Sequence, residues 1–258
     1  MAEETENRTE KQELSKVAVA ALVLSVLALL VGAFSGFGSR WGWWHFSTGF
    51  TMLRWAVYIG IGGLIFSIIG IFHARPTVNR QGFTAALIGL ILGALIVTVP
   101  ISYLMRARSV PPIHDITTDL ADPPQFDVIT KLRADAPNPL EYGGQDIAEQ
   151  QKAAYPGIQP LNVDMSPEQA YEHALKAAQS MGWTIQNAND SAQRIEATDV
   201  TFWYGFKDDI VIRVESVDDG SRIDVRSISR VGKSDVGKNA ERIRNYMDKL
   251  QRVINTSG

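Results

Sequence analysis

MLRWAVYIGIGGLIFSIIGIF, residues 52–72, carries one charge, Arg54 near its start, and is long enough to cross a bilayer as a helix. Two stretches on either side read the same way: VAVAALVLSVLALLVGAF at 17–34 and FTAALIGLILGALIVTVPISYL at 83–104, neither with any charge. About 20 apolar residues in a helix match the roughly 30 Å hydrocarbon core. Unpaired backbone amides are costly in lipid, so all three are expected to be helical, with Gly60, Gly62, Gly63, Gly89 and Gly93 allowing close helix approach. The block 17–104 therefore predicts a three-helix transmembrane anchor whose first partner is the lipid bilayer.

Outside that block the charges divide. Residues 109–258 hold 16 Lys or Arg against 23 Asp or Glu, a net of −7, while the first 108 residues hold 9 against 5, a net of +4. An acidic domain lacks the basic face that neutralises phosphates, so no nucleic acid is expected as a partner. The chain has no cysteine, which excludes disulfides, thiolate metal sites and cysteine nucleophiles. The polar, acidic tail 1–16 has too little apolar content to offset the entropy of ordering and reads as a disordered arm. A signal peptide is the rival reading of 17–34; the acidic flank and the length of the apolar run favour a retained helix.

Ser35–Thr51 reads as a loop rich in Trp41, Trp43, Trp44 and His45. An interfacial aromatic belt is preferred over a quinone or heme site. The loop 73–82 is short, making the second and third helices antiparallel neighbours. With a cytoplasmic amino end, Arg8, Lys11, Lys16, Arg75 and Arg80 lie inside and Arg40, Arg54, Arg106 and Arg108 outside, five against four. That bias places the protein in a bacterial inner membrane with its C-terminal domain in the periplasm.

Residues 110–258 follow a stem ended by Pro111-Pro112. IHDITTDLADPPQF (113–126) sets His114 beside Asp115, Asp119 and Asp122. It admits a divalent-metal site, a general acid and base, or a loop whose carboxylates cap local turns, and the last is preferred. Residues 132–160 read as a long irregular surface loop. Ser166, Pro167, Gln169 and Gly182 mark out a capped helix, with His173 off its apolar stripe. The period then changes to two: 183–187, 194–202, 209–217 and 221–229 read as strands, with Asp218-Asp219-Gly220 as the tight turn of the last pair. Arg194, Glu196, Arg213, Glu215, Arg222, Asp224 and Arg226 alternate with the apolar positions and read as a solvated face of cross-strand ion pairs. A closing helix covers 239–254. The expected fold is thus an α+β soluble domain, a four-stranded antiparallel sheet with two helices, preceded by three transmembrane helices.

Two segments depart from the alternation. TFWYGF (201–206) places Phe202, Trp203 and Tyr204 in one run, suited to core packing, an apolar pocket or a membrane surface. SRVGKSDVGKN (229–239) contains Gly232, Lys233 and Ser234, but a phosphate loop requires glycine at 227, where Ser227 stands. What remains is a helix start carrying Arg230, Lys233, Asp235 and Lys238, either an anion site or an ordinary capped turn.

IHDITTDLADPPQF, IEATDVTFWYGFKDDIVIRV (195–214) and IDVRSISRVGKSDVGKNAERIR (223–244) resemble the bacterial and plastid domain-of-unknown-function family 1499. WWHFSTGFTMLRWAVY (43–58) is similar to the spans that precede the domain in membrane-anchored bacterial members. The resemblance implies no established activity and no catalytic residues to carry over. No cofactor or metal is expected: GxSxG, HExxH and a histidine pair at ligand spacing are all absent from the sequence. The leading expectation is a non-catalytic domain that binds a protein partner or a small ligand in the envelope. The alternative is an envelope hydrolase using the acidic 113–127 segment with Arg226 and Arg230. The candidate binding residues are His114, Asp115, Asp119, Phe202, Trp203, Tyr204, Arg226, Arg230, Lys233 and Asp235. They presuppose that 113–127 packs beside 201–206 and 229–235, with Asp115 and Asp119 neutralised by Arg226, Arg230 and Lys233.

Overall fold

The computed structural model describes residues 12–78 and 80–257, in two compact units, 1–102 and 103–258. The first eleven residues of the expected disordered arm lie outside the described residues. Among the described residues three helices are long and apolar enough to cross a membrane: α1 (Lys16–Arg40), α2 (Phe46–His73) and α3 (Phe83–Ser109).

α1 and α2 run further than their charge-free cores, so the expected loop 35–51 shrinks to 41–45. Gly38 is the reason at one end: a Cβ there would fall on the Trp44 ring, which folds back so that its Nε1 donates to Ser35 O (3.2 Å). His45 supplies the other end, its ring nitrogen accepting the Ser47 amide (3.4 Å) as the N-cap of α2. The helices meet along small residues. A Cβ on Gly63 would press on Ser25, including its backbone nitrogen at 3.1 Å, and one on Gly89 would meet the Ala21 and Leu22 backbone at 3.1 Å. At one end, β1 (Glu13–Leu14) pairs in parallel with β2 (Arg80–Gln81), and His73 sits between Ser15 and Arg80.

The second unit corrects the four-strand expectation: its sheet has six strands, all paired antiparallel. β5 (Thr184–Asn189), β6 (Arg194–Val200), β7 (Lys207–Val217) and β8 (Gly220–Ser229) form the expected meander, with Val217 opposite Gly220 across the two-residue turn. The outer edge of β8 is shared by two three-residue strands, β3 (Asp115–Thr117) against 226–228 and β4 (Leu161–Val163) against 221–223. Between them Thr118 N donates to Val225 O (2.9 Å) and Val225 N to Thr118 Oγ1 (2.9 Å), so the edge stays satisfied along its length. Strands of three residues are too short to show a period of two, which is why neither was legible.

One sheet face carries the apolar layer. Ile195, Ala197, Ile210, Ile212, Val214, Ile223 and Val225 pack under α6 (Pro167–Ser180) and α7 (Lys238–Ser257), whose Ala170, Ala174, Ile243, Tyr246 and Leu250 are buried. Tyr246 stacks on Trp183 at 5.5 Å and donates to Ala174 O (3.1 Å). The segment expected to be irregular contains α5 (Gly144–Ala154), whose buried Gln151 donates to Thr117 O (2.6 Å) and accepts from Thr117 N (3.0 Å), completing the free edge of β3 as another strand would.

Candidate functional site

The opposite face of the sheet overturns the solvated reading. Glu196, Asp209, Asp224 and Arg226 are all 0% exposed. They are covered by a strap, residues 118–142, that crosses this face from the end of β3 and includes the single turn α4 (Ile129–Leu132). Charges so buried require partners, and β3, the strap and neighbouring strands supply them.

Arg226 lies at the centre. Its Nε and Nη2 grip both Asp115 oxygens (3.0 and 2.7 Å), Nη1 donates to Pro124 O (3.2 Å) and Nη2 to Leu140 O (2.6 Å). The rings of Phe126 and Tyr142 lie over its guanidinium at 5.5 and 5.7 Å. Burial, with the Asp115 charge nearby, pushes the Tyr142 hydroxyl up to about 12. Glu196 works on the backbone: Oε1 accepts the amides of Asp127 (2.8 Å) and Val128 (3.2 Å), and Oε2 that of Ile129 (2.8 Å), which fixes the start of α4. Asp209 is shared by Arg133 (3.1 Å), Arg230 (2.8 Å) and the Thr198 hydroxyl (2.8 Å).

Asp119 closes the other end. Its Oδ1 accepts from Ala121 N (3.0 Å) and Asp122 N (2.9 Å), and its Oδ2 from Arg213 (3.1 Å) and Arg222 (2.8 Å). Burial raises its carboxyl pKa, but those amides and the two arginines outweigh it and hold the group below the usual carboxylate value. The sequence reading gave Asp119 the wrong partners: Arg230 serves Asp209, and Lys233 is exposed with no ion pair among the described residues.

Of the expected convergence, the 113–127 and 229–235 segments meet. Ser229 N donates to His114 O (3.0 Å), Asp235 N to Ile113 O (3.2 Å), and Asn239 Nδ2 to His114 O (2.8 Å), so His114 contributes its backbone. Asp235 occupies the start of α7, accepting from Gly237 N (2.7 Å) and Asn239 N (2.6 Å), so a carboxylate of the chain itself fills the expected anion position. Burial raises its pKa, helped by the Asp208 charge and opposed by the two amides and Arg242. Thr201–Phe206 instead forms the turn between β6 and β7: Tyr204 is buried and stacks on Phe206 at 5.4 Å, Trp203 packs edge-on to Tyr204 at 5.0 Å, and Phe202 is 78% exposed.

Glu196, Asp209, Asp224, Arg133, Arg213 and Arg222 belong to this network and were absent from the expected set. The recurrence of charges at every second strand position is visible in the sequence; what covers them is not. Among the described residues there is no group of three or more His, Asp or Glu arranged to hold a metal ion. Depressions on the unit include one of about 390 Å³ beside Ile158, Leu161, Ile243 and Met247 and another of about 600 Å³ beside Asp164, Asp218 and Asp219.

Comparison with curated proteins found no match. A family model described as a protein of unknown function (DUF1499) matches residues 115–250, more than half of the chain, and the chain belongs to that family.

Proposed function

We propose that this member of the DUF1499 family is a polytopic inner-membrane protein that presents its C-terminal unit in the periplasm as a non-catalytic module for a protein partner or small ligand of the envelope. What supports the non-catalytic part is the engagement of the carboxylates themselves. A hydrolase would draw its general acid or base from Asp115 or Asp119, and such a group needs a pKa near the working pH and reach to the substrate. Asp115 is gripped by the buried Arg226, and Asp119 is held low by two amides and two arginines. Glu196, Asp209, Arg213 and Arg222 likewise bond to residues of the strap. The periplasmic placement rests on the Lys and Arg bias of the loops.

Two measurements test the proposal. Alkaline phosphatase fused after Gly258 is active and a cytoplasmic reporter there is silent; the reverse pattern overturns the orientation. Asp119→Asn, once shown to be folded and inserted, restores the phenotype of a strain lacking the chain. Failure to restore it gives the Asp119 carboxylate a functional role and overturns the reading of it as a fastening of the strap alone.

A further inference from the structure

We infer that the β6–β7 turn and the lysines around it form a contact surface for the headgroup layer of an anionic bilayer. The turn is rigid. Thr201 N donates to Phe206 O (2.8 Å), Phe206 N to Thr201 Oγ1 (2.8 Å) and Gly205 N to Thr201 O (3.1 Å), and Gly205 takes φ +70°, which a side chain would resist. With Tyr204 and Phe206 stacked, the turn holds Phe202 outward at 78% exposure. An aromatic side chain presented on a fixed turn loses little conformational entropy when it inserts, and its ring suits the half-wet headgroup layer.

The surroundings fit that layer. Val200, 38% exposed, is paired across the strands with Lys207, and Arg230 ties Lys207 to α4: its amide donates to Lys207 O (3.0 Å) and its Nη1 to Leu132 O (2.9 Å). Leu132 is 49% exposed. Asn138 joins the next loop to this corner, its amide donating to Arg230 O (3.2 Å) and its Nδ2 to Gly232 O (2.9 Å). One corner of the sheet thus gathers three exposed apolar side chains with the exposed Lys131, Lys207 and Lys233. The acidic groups there are held by cations of the chain: Asp208 and Asp209 are buried against Arg242, Arg133 and Arg230, and the part-exposed Asp199, opposite Asp208 across the strands, pairs with Arg242; Asp135 is the nearest exposed carboxylate in sequence to Leu132. A domain of net −7 therefore turns a basic, apolar corner outward. A neutral or basic protein groove would not require the lysines; an anionic lipid surface does, at about 1 kcal/mol or fivefold per lysine. The same chain carries three helices long and apolar enough to cross a bilayer.

The absence of cysteine makes the test clean. Phe202→Cys and, separately, Lys207→Cys carry an apolar fluorophore in the full chain reconstituted into nanodiscs, with Asp218→Cys in the β7–β8 turn as the reference. Headgroup-region spin-labelled lipid quenches the probes at 202 and 207 severalfold more than the probe at 218, and does so more in discs containing phosphatidylglycerol than in phosphatidylcholine alone. Replacing Lys131 and Lys233 with Gln in the Phe202→Cys chain removes that lipid dependence. Equal quenching at all three sites, or no quenching at 202, overturns the proposal; so does a probe at 202 that is shielded from water yet untouched by the lipid quencher, which assigns the corner to a protein partner instead.

Discussion

Replacing Arg226 with methionine strands a carboxylate. The side chain is fully buried and makes two bonds to Asp115 and one each to the carbonyls of Pro124 and Leu140. Methionine fills much of the volume but leaves Asp115, itself 5% exposed, without a counter-charge. Removing one partner of a buried pair costs about 3–5 kcal/mol, whereas replacing both with groups that need no partner is often close to neutral. At about 2–4 °C per kcal/mol for a unit of this size, Arg226→Met lowers the melting temperature by roughly 6–20 °C. Asp115→Asn with Arg226→Met recovers part of that loss, since the stranded charge is gone. The assay is protease-resistance melting of the C-terminal unit in the full chain in detergent, run on the two single variants and the double. A cost below about 1 kcal/mol for Arg226→Met, or a double variant whose loss is the plain sum of the singles, refutes the claim that this pair locks the strap.

Three further outcomes are expected. Glu196→Ala releases the amides of residues 127–129, so trypsin cuts after Lys131 and Arg133 many times faster while β7 and β8 stay intact. Asp119 has a lowered folded pKa, so its stabilisation is present above the ordinary carboxylate value and fades as pH falls; Asp235 has a raised one, so its contribution is full at low pH and fades as pH rises. Asp119→Asn therefore costs less at about pH 3 than at about pH 7 and Asp235→Asn costs more, as read by chemical denaturation at the two pH values. In the first unit Gly62→Ala melts like the parent, because a Cβ there meets open space, while Gly63→Val, which presses on the Ser25 backbone, lowers the melting temperature of the detergent-solubilised bundle.

The three long apolar helices, the capped helix at Ser166 and the β7–β8 hairpin were legible because each follows one rule over many residues: hydropathy, capping and alternation. β3, β4 and α5 were not, since three-residue strands carry no period and α5 is largely polar, its buried contact being the amide of Gln151. The charged sheet face was misread for a physical reason. Alternating charges look the same whether water or a strap neutralises them, and only the position of residues 118–142 decides between the two. Arg226 was among three cations expected beside Asp115 and Asp119 without a pairing, and it meets Asp115; Asp119 instead bonds Arg213 and Arg222, because register, and not sequence order, sets which side chains meet.

Hydrogen exchange on the full chain, resolved to the amides of residues 117–129, tests the account at its centre. If the strap is part of the folded unit, Thr117, Thr118, Ala121, Asp122 and Asp127–Ile129, each bonded to Gln151, Val225, Asp119 or Glu196, exchange with the slow amides of β7 and β8. Exchange of these amides at the rate of an open loop, while β7 and β8 remain protected, contradicts it.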